Sequence, residues 1–323
     1  MNRRSARNLA AGLLATMAAL AAAVPATADA AVPPVSHVRV ADHFGIAAGQ
    51  MPEAVVLDRH GSVDLSFSKA RQIVRVDRDG TIHVLATLPA PADGGIHTPA
   101  LGFPLVTGLV KDDDGTLYFL YTTGTGDLTG LWRLTPGGTA ERITALPATG
   151  LPNGLSLDRR THQLYATDSV LGTIWRIPTT GGPATVWAGG PELAATGFLG
   201  ANGIKVHNGA VWATNFDQGT VLRYPIADGG RAGTPQTMAT GLAGIDDFDF
   251  LGHTDRIVAA LNPGNEVALV EPDGTHTVVL TAQDGLSNPT SIAVHGDTLY
   301  VPSAAYLTGN DPNLLTAHIN PSH

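Results

Sequence analysis

The chain has 323 residues, 43% of them hydrophobic, so it can bury a large core as one domain or two, and its lack of cysteine excludes a disulfide framework and a lipid anchor on Cys. With 28 Asp/Glu against 19 Lys/Arg the net charge is −9, which argues against nucleic acid and anionic lipid as partners.

From the N-terminus, a basic patch (Arg3, Arg4, Arg7) precedes an apolar run from Leu9 to Val24 and small-residue sites at Ala26-Thr27-Ala28 and Ala28-Asp29-Ala30. That order is the pattern of a secretory signal peptide over residues 1–30, and the run is shorter than the roughly 20 residues of a spanning helix. Ala6 and Arg7 stand where twin-arginine export expects apolar residues, so the general route is expected, with the mature chain outside the cytoplasm. Cleavage before Ala31 leaves 16 Lys/Arg and 27 Asp/Glu, a net charge of −11. The excess suits cation binding, although surface carboxylates also serve solubility.

An isolated strand pattern, His37-Val-Arg-Val-Ala41, comes next, and from Met51 onward one phrase recurs: a short apolar strand, a polar turn, a second strand ending in a small hydroxyl or amide, and a third strand. The clearest copies start at Asn153 (NGLSLDRRTHQLYATDS, then GTIWRIP) and Asn202 (NGIKVHNGAVWATNF, then GTVLRYP). Fainter ones start at Glu53, Thr107, Asp246 and Thr290. The six starts are separated by 54, 46, 49, 44 and 44 residues, the period of four-stranded propeller blades. An all-β, six-bladed propeller over residues 31–323 is predicted. The last copy lacks a fourth strand, so the segment around His37–Ala41 is expected to close the sixth blade from outside and tie both termini into a single domain. A closed ring needs no partner at its edges, and a monomer is expected.

The inner strand of each blade lines the channel, so the six starting residues should converge. Glu53, Thr107, Asn153, Asn202, Asp246 and Thr290 all carry side-chain oxygen, a set that suits a hard divalent cation such as calcium. Asn-Gly is equally a favoured turn pair, so Asn153-Gly154 and Asn202-Gly203 have a metal-free reading as well. Two long insertions, Pro89 to Val106 and Gly189 to Ala201, read as loops over one face. The first holds His97, a candidate acid or base that also reads as a plain surface histidine, and the second holds Phe198 and Leu199, a candidate apolar wall for a substrate that reads equally as a pin for its own loop. Asp168, Asp217 and Asn265 read as backbone caps, and Asp112-Asp-Asp-Gly115 as a hairpin turn lacking the spaced ligands of an EF-hand. Neither a Gly-Xaa-Ser-Xaa-Gly elbow nor a His-Glu-Xaa-Xaa-His motif is present.

Pro52-Glu53, Pro152-Asn153-Gly154, Ala201-Asn202-Gly203 and Ile245-Asp246-Asp247-Phe248, in this order and phase, make the chain from Pro52 to Ile319 resemble the senescence-marker-protein/gluconolactonase family, which includes regucalcin. The resemblance implies a divalent cation held by Glu53, Asn153, Asn202 and Asp246, with Asp246 also the catalytic base and Asp247 its neighbouring competitor. It implies a small-molecule lactone as substrate; Thr107 and Thr290 by their phase, Phe198 by its loop, and Leu151 and Asp247 beside the ligands are the residues expected near it. Sugar-lactone members carry Arg at the position of Leu151, so this site should favour a more apolar lactone or ester. A metal-dependent hydrolase is the leading expectation. A non-catalytic propeller that binds a ligand and a lyase that opens cyclic esters by elimination stay open beside it.

Overall fold

Short runs of Val, Ile, Leu and aromatic residues, each bounded by Gly, Asp or Pro, pair into six four-stranded antiparallel sheets. The computed structural model describes residues 34–58 and 61–320; the expected signal segment, 1–30, lies outside the described residues. After β1 (Val35–His43), the first blade is β2 (Pro52–Leu57), β3 (Val63–Phe67), β4 (Gln72–Val76) and β5 (Ile82–Thr87). The second is β6 (Leu105–Lys111), β7 (Leu117–Thr122), β8 (Gly130–Leu134) and β9 (Glu141–Ala145), and the third β10 (Pro152–Asp158), β11 (Gln163–Asp168), β12 (Thr173–Pro178) and β13 (Thr185–Gly189). The fourth is β14 (Ala201–His207), β15 (Ala210–Asn215), β16 (Thr220–Pro225) and β17 (Gln236–Ala239). The fifth is β18 (Ile245–Phe250), β19 (Ile257–Leu261), β20 (Glu266–Val270) and β21 (His276–Leu280). The sixth takes β22 (Ala293–His295), β23 (Thr298–Ser303) and β24 (Asn313–Ile319), and its outer strand is β1.

Each blade is a meander, and the ring closes where β1 pairs antiparallel with β24 from Val35↔Ile319 to His43↔Asn313. The closing strand anticipated around His37–Ala41 is therefore present and extends further at both ends. It gives the last blade the same four strands as the others and pairs a strand edge that would otherwise be open. The acidic run Asp112-Asp-Asp-Gly115 is the tight β6–β7 hairpin, with the Asp112 N–H donating to Thr116 O (2.8 Å) and the Gly115 N–H to Asp112 O (3.0 Å).

The core lies between blades. Strand β19 shows why: alternate residues of a strand face opposite ways, so Ile257, Ala259 and Leu261 pack toward the fourth blade while Val258 and Ala260 pack toward the sixth. Among the described residues, six apolar clusters fill the six blade interfaces, the one between the last and first blades being built from Phe44, Val55, Leu65, Phe67, Val74, Ala293 and Leu314. A core of this shape leaves the axis free for polar groups. Among the described residues no helix is long and apolar enough to cross a membrane.

Candidate metal centre

Every blade presents the start of its inner strand at the same mouth of the channel, and in the first, third, fourth and fifth blades a β-bulge there turns a polar side chain inward. Register breaks occur between Pro52 and Ala54, Pro152 and Leu155, Ala201 and Ile204, and Ile245 and Phe248. In three of these bulges the amide taken off the ladder is satisfied by a hydroxyl on the neighbouring strand. Ala54 N–H donates to Ser66 Oγ (3.0 Å), Gly154 N–H to Thr167 Oγ1 (2.9 Å) and Gly203 N–H to Thr214 Oγ1 (2.8 Å). Those hydroxyls reach onward to the next blade: Ser66 donates to Thr107 O (2.9 Å), Thr214 to Asp246 O (2.9 Å) and Thr167 to Asn202 O. Thr107, Asn202 and Asp246 are thus each pinned to the blade before them.

The glycines of the two Asn-Gly pairs lie within β10 and β14 and not in turns. A Cβ on Gly154 would stand 2.3 Å from Asn202 O, and one on Gly203 would stand 2.7 Å from Asp246 O. Glycine is needed there because the next blade's backbone passes through that space.

Glu53, Asn153, Asn202 and Asp246, all buried, line one small cavity of ≈ 40 Å³ together with Thr290 and Asp247. The Asn153 amide donates from Nδ2 to Ser169 Oγ (3.1 Å), which orients the group. Asn262 Nδ2 donates to Asp246 Oδ2 (3.0 Å), and the Asn202 amide lies against the same carboxylate. The Tyr306 hydroxyl, brought by the β23–β24 loop, lies 2.7 Å from Glu53 Oε2, to which it donates, and 2.7 Å from Ser68 Oγ.

Burial pushes the Glu53 carboxyl up to about 7, against the hydrogen bond from Tyr306 and with the Asp247 charge adding to the rise. Burial, with the charges of Glu53 and then Asp247, holds the Asp246 carboxyl well above the ordinary carboxylate range. Among the described residues no Lys or Arg pairs with either carboxylate, whereas the next residue has its own cation. Lys205 Nζ donates to Asp247 Oδ1 (2.6 Å) and Oδ2 (2.8 Å), and Ser291 Oγ donates to Asp247 Oδ2 (2.7 Å). Two facing carboxylates with two carboxamides are a donor set for a hard divalent ion. Among the described residues no three His, Cys, Asp or Glu side chains gather to hold a metal by themselves, so any such ion would depend on the amides.

The other candidate residues are placed differently. Thr107 is fully buried and its hydroxyl donates to Pro152 O (3.0 Å), outside the cavity lining. Thr290 lines the cavity, but its hydroxyl donates to Pro52 O (2.9 Å), locking the sixth blade to the first. Leu151 is buried in the protein interior and does not line the cavity. His97 is exposed on its loop, with Nδ1 2.7 Å from Asp93 Oδ2, and Phe198 is exposed on its own loop; neither lines the cavity.

Sequence reasoning missed Asn262, Ser169, Lys205, Ser291 and Tyr306. The first two carried a signal: each closes the second strand of its blade, at the recurring hydroxyl-or-amide position. Tyr306 sits on a loop outside the repeat and carried none.

Below the cavity the channel widens into a funnel of ≈ 810 Å³ lined by charged groups that include Asp58, Lys111, Asp112, Arg159 and Asp249.

No family model matches the sequence, and none of the curated proteins does. Solved structures do share the fold. A calcium-binding protein, regucalcin, from Agrobacterium tumefaciens aligns with a TM-score of 0.62 at 16% identity, over 84% of this chain and 90% of that one. A gluconolactonase from Xanthomonas campestris aligns at 0.59 and 14% identity over 84% and 86%, and virginiamycin B lyase from Staphylococcus aureus at 0.58 and 17% over 83% and 80%. At these identities the likeness is one of architecture: the chain is a six-bladed β-propeller, similar in fold to lactonases and to a lyase.

Proposed function

We propose that the protein is a metal-dependent hydrolase of a lactone or ester, with Glu53, Asn153, Asn202 and Asp246 holding a divalent cation, calcium being the best match to all-oxygen ligands. One observation carries the reading: two buried carboxylates share a small cavity with two amides, while Lys205, the one lysine among the described residues that lines it, is committed to Asp247. Burying such a pair is costly unless a cation compensates it. A bound ion of this kind supplies Lewis acidity toward a carbonyl oxygen.

The chain's own groups do the rest. Asp246 has a fixed carboxylate, held by Asn262, so it is the group to take a proton from an attacking water. The water oxygen bonds to the acyl carbon, the ring C–O bond breaks, and the proton passes to the departing alkoxide. Tyr306 keeps Glu53 in place and stays protonated, because burial and the Glu53 charge push its phenol well above the usual range. The N-terminal pattern supports the protein acting outside the cytoplasm after loss of residues 1–30, and the closed ring supports a monomer.

The test is a panel of lactones and esters assayed with calcium, with chelator, and with Glu53→Gln and Asp246→Asn. Turnover lost in all three conditions that remove the ion or its ligands is the expected result. In ¹⁸O-labelled water, hydrolysis places one label in the product carboxylate. An unsaturated, unlabelled product would replace the reading by elimination, and a bound ion with no turnover on any member would replace it by a binding role.

A further inference from the structure

The geometry points to the loop face above Glu53 and Asp246 as the binding surface for the alkyl chain of the substrate, making long-chain, apolar lactones or esters the preferred class. This rests on the hydrolase reading above, because the chain must be attached to the carbonyl that reaches the cavity.

The cavity itself sets the problem. At ≈ 40 Å³ it has room for an ion and a few waters, so the body of an organic substrate must lie outside it. What lies outside differs sharply between the two ends of the channel. Among the described residues, eight large hydrophobic side chains are exposed, and five of them, Ile46, Ile96, Leu171, Phe198 and Leu307, sit on connections at the face where the inner strands begin. The other three, Val84, Val186 and Val278, are on the outer strands β5, β13 and β21. Among the described residues the opposite mouth has none, and it is charged.

Three of the five are tied to the site through short connections. Leu171 follows Ser169, which receives the Asn153 amide, and Gly200 N–H at the end of the Phe198 loop donates to Ser169 O (2.8 Å). Leu307 follows Tyr306, whose hydroxyl bonds Glu53. They are also held still. The Asp217 carboxylate accepts the backbone N–H groups of Thr196 (2.8 Å), Gly197 (2.7 Å), Phe198 (2.8 Å) and Leu199 (3.1 Å), so the loop presents Phe198 at 48% exposure in a fixed position. Leu307, at 71% exposure, has its N–H bound to Asn288 Oδ1 (2.8 Å). Apolar side chains that are exposed yet held in place on the face above the site, as Phe198 and Leu307 are, mark a recognition surface. A neutral alkyl chain gains by covering them without adding charge to an already acidic protein.

The experiment uses purified protein, calcium and γ-lactones with side chains of zero to six carbons. Two quantities are measured: kcat/KM, and affinity by ligand-observed NMR, which needs no turnover. Both should rise about three- to fourfold per methylene. Phe198→Ser with Leu307→Ser should flatten that slope to below twofold, with calcium affinity and melting temperature unchanged. A flat series in the wild-type protein overturns the inference even where the unsubstituted lactone is hydrolysed, and leaves the hydrolase reading standing. Affinity that climbs with chain length and collapses in the double variant, without turnover of any lactone, supports the surface assignment and removes the hydrolase reading. Sedimentation with phosphatidylcholine vesicles, lost in the double variant and paired with a flat lactone series, would reassign the face to lipid and overturn the inference.

Discussion

Raising the pH of the cation-free protein from 5 to 8 should destabilise it through Glu53, and Glu53→Gln should remove most of that loss. The carboxyl rises from its ordinary 4.5 to about 7 on folding, because burial disfavours the charged form. A group whose folded value is raised contributes stability below its unfolded value and loses it as the pH climbs through the folded one. The window here is therefore about pH 4.5 to 7, and the 2.5-unit rise corresponds to ~3 kcal/mol. At about 2–4 °C per kcal/mol, that is roughly 6–12 °C of melting temperature. Asp246 shifts in the same direction and adds to the effect. A divalent cation displaces the protons, so calcium should stabilise the protein more at pH 8 than at pH 5. Melting curves at both pH values, with chelator and with calcium, give the difference between wild type and Glu53→Gln, which cancels the titrating groups that do not interact with Glu53 and keeps the part of the Asp246 rise that the Glu53 charge causes. If chelated Glu53→Gln and chelated wild type differ by the same amount at pH 5 and pH 8, the electrostatic reasoning fails.

Gly154→Ala and Gly203→Ala should each lower the melting temperature and weaken the calcium response together, because the added Cβ drives against the backbone at Asn202 or Asp246 and displaces a ligand; calorimetric titration with calcium separates these from variants that only destabilise. Thr107→Val is such a control: the Pro152 carbonyl loses the Thr107 hydroxyl but keeps that of Thr122 (2.9 Å), so the cost in urea melts should be about 0.5–1.5 kcal/mol, with calcium affinity preserved. Lys205→Met should cost about 3 kcal/mol by leaving the Asp247 carboxylate without its cation, and adding Asp247→Asn should restore most of it; no recovery in the double variant would mean that Lys205 acts by packing.

How far the site could be read in the chain depended on whether a residue belonged to the repeat. Glu53, Asn153, Asn202 and Asp246 start four copies of one phrase, and copies in phase around a ring must bring equivalent positions to one axis. Asn262 and Ser169 occupied another recurring position and were readable by the same rule. Thr107 and Thr290 obeyed the phase as well, yet their hydroxyls are engaged by backbone carbonyls of the adjacent blade, a partner that no spacing reveals. His97 lay in a loop of the right length, and loop length does not say where a side chain ends; it faces solvent beside Asp93.

From the linear sequence came the number of blades, the closing strand and the identity of the converging oxygens, since strand alternation, turn residues and repeat phase are local properties that repeat regardless of what surrounds them. Only the folded chain decided which carboxylate received a lysine, which tyrosine reached Glu53 and which apolar side chains stayed exposed. Those outcomes depend on contacts between residues as far apart as Glu53 and Tyr306, and on burial, which belongs to the ring as a whole and to no single segment of it.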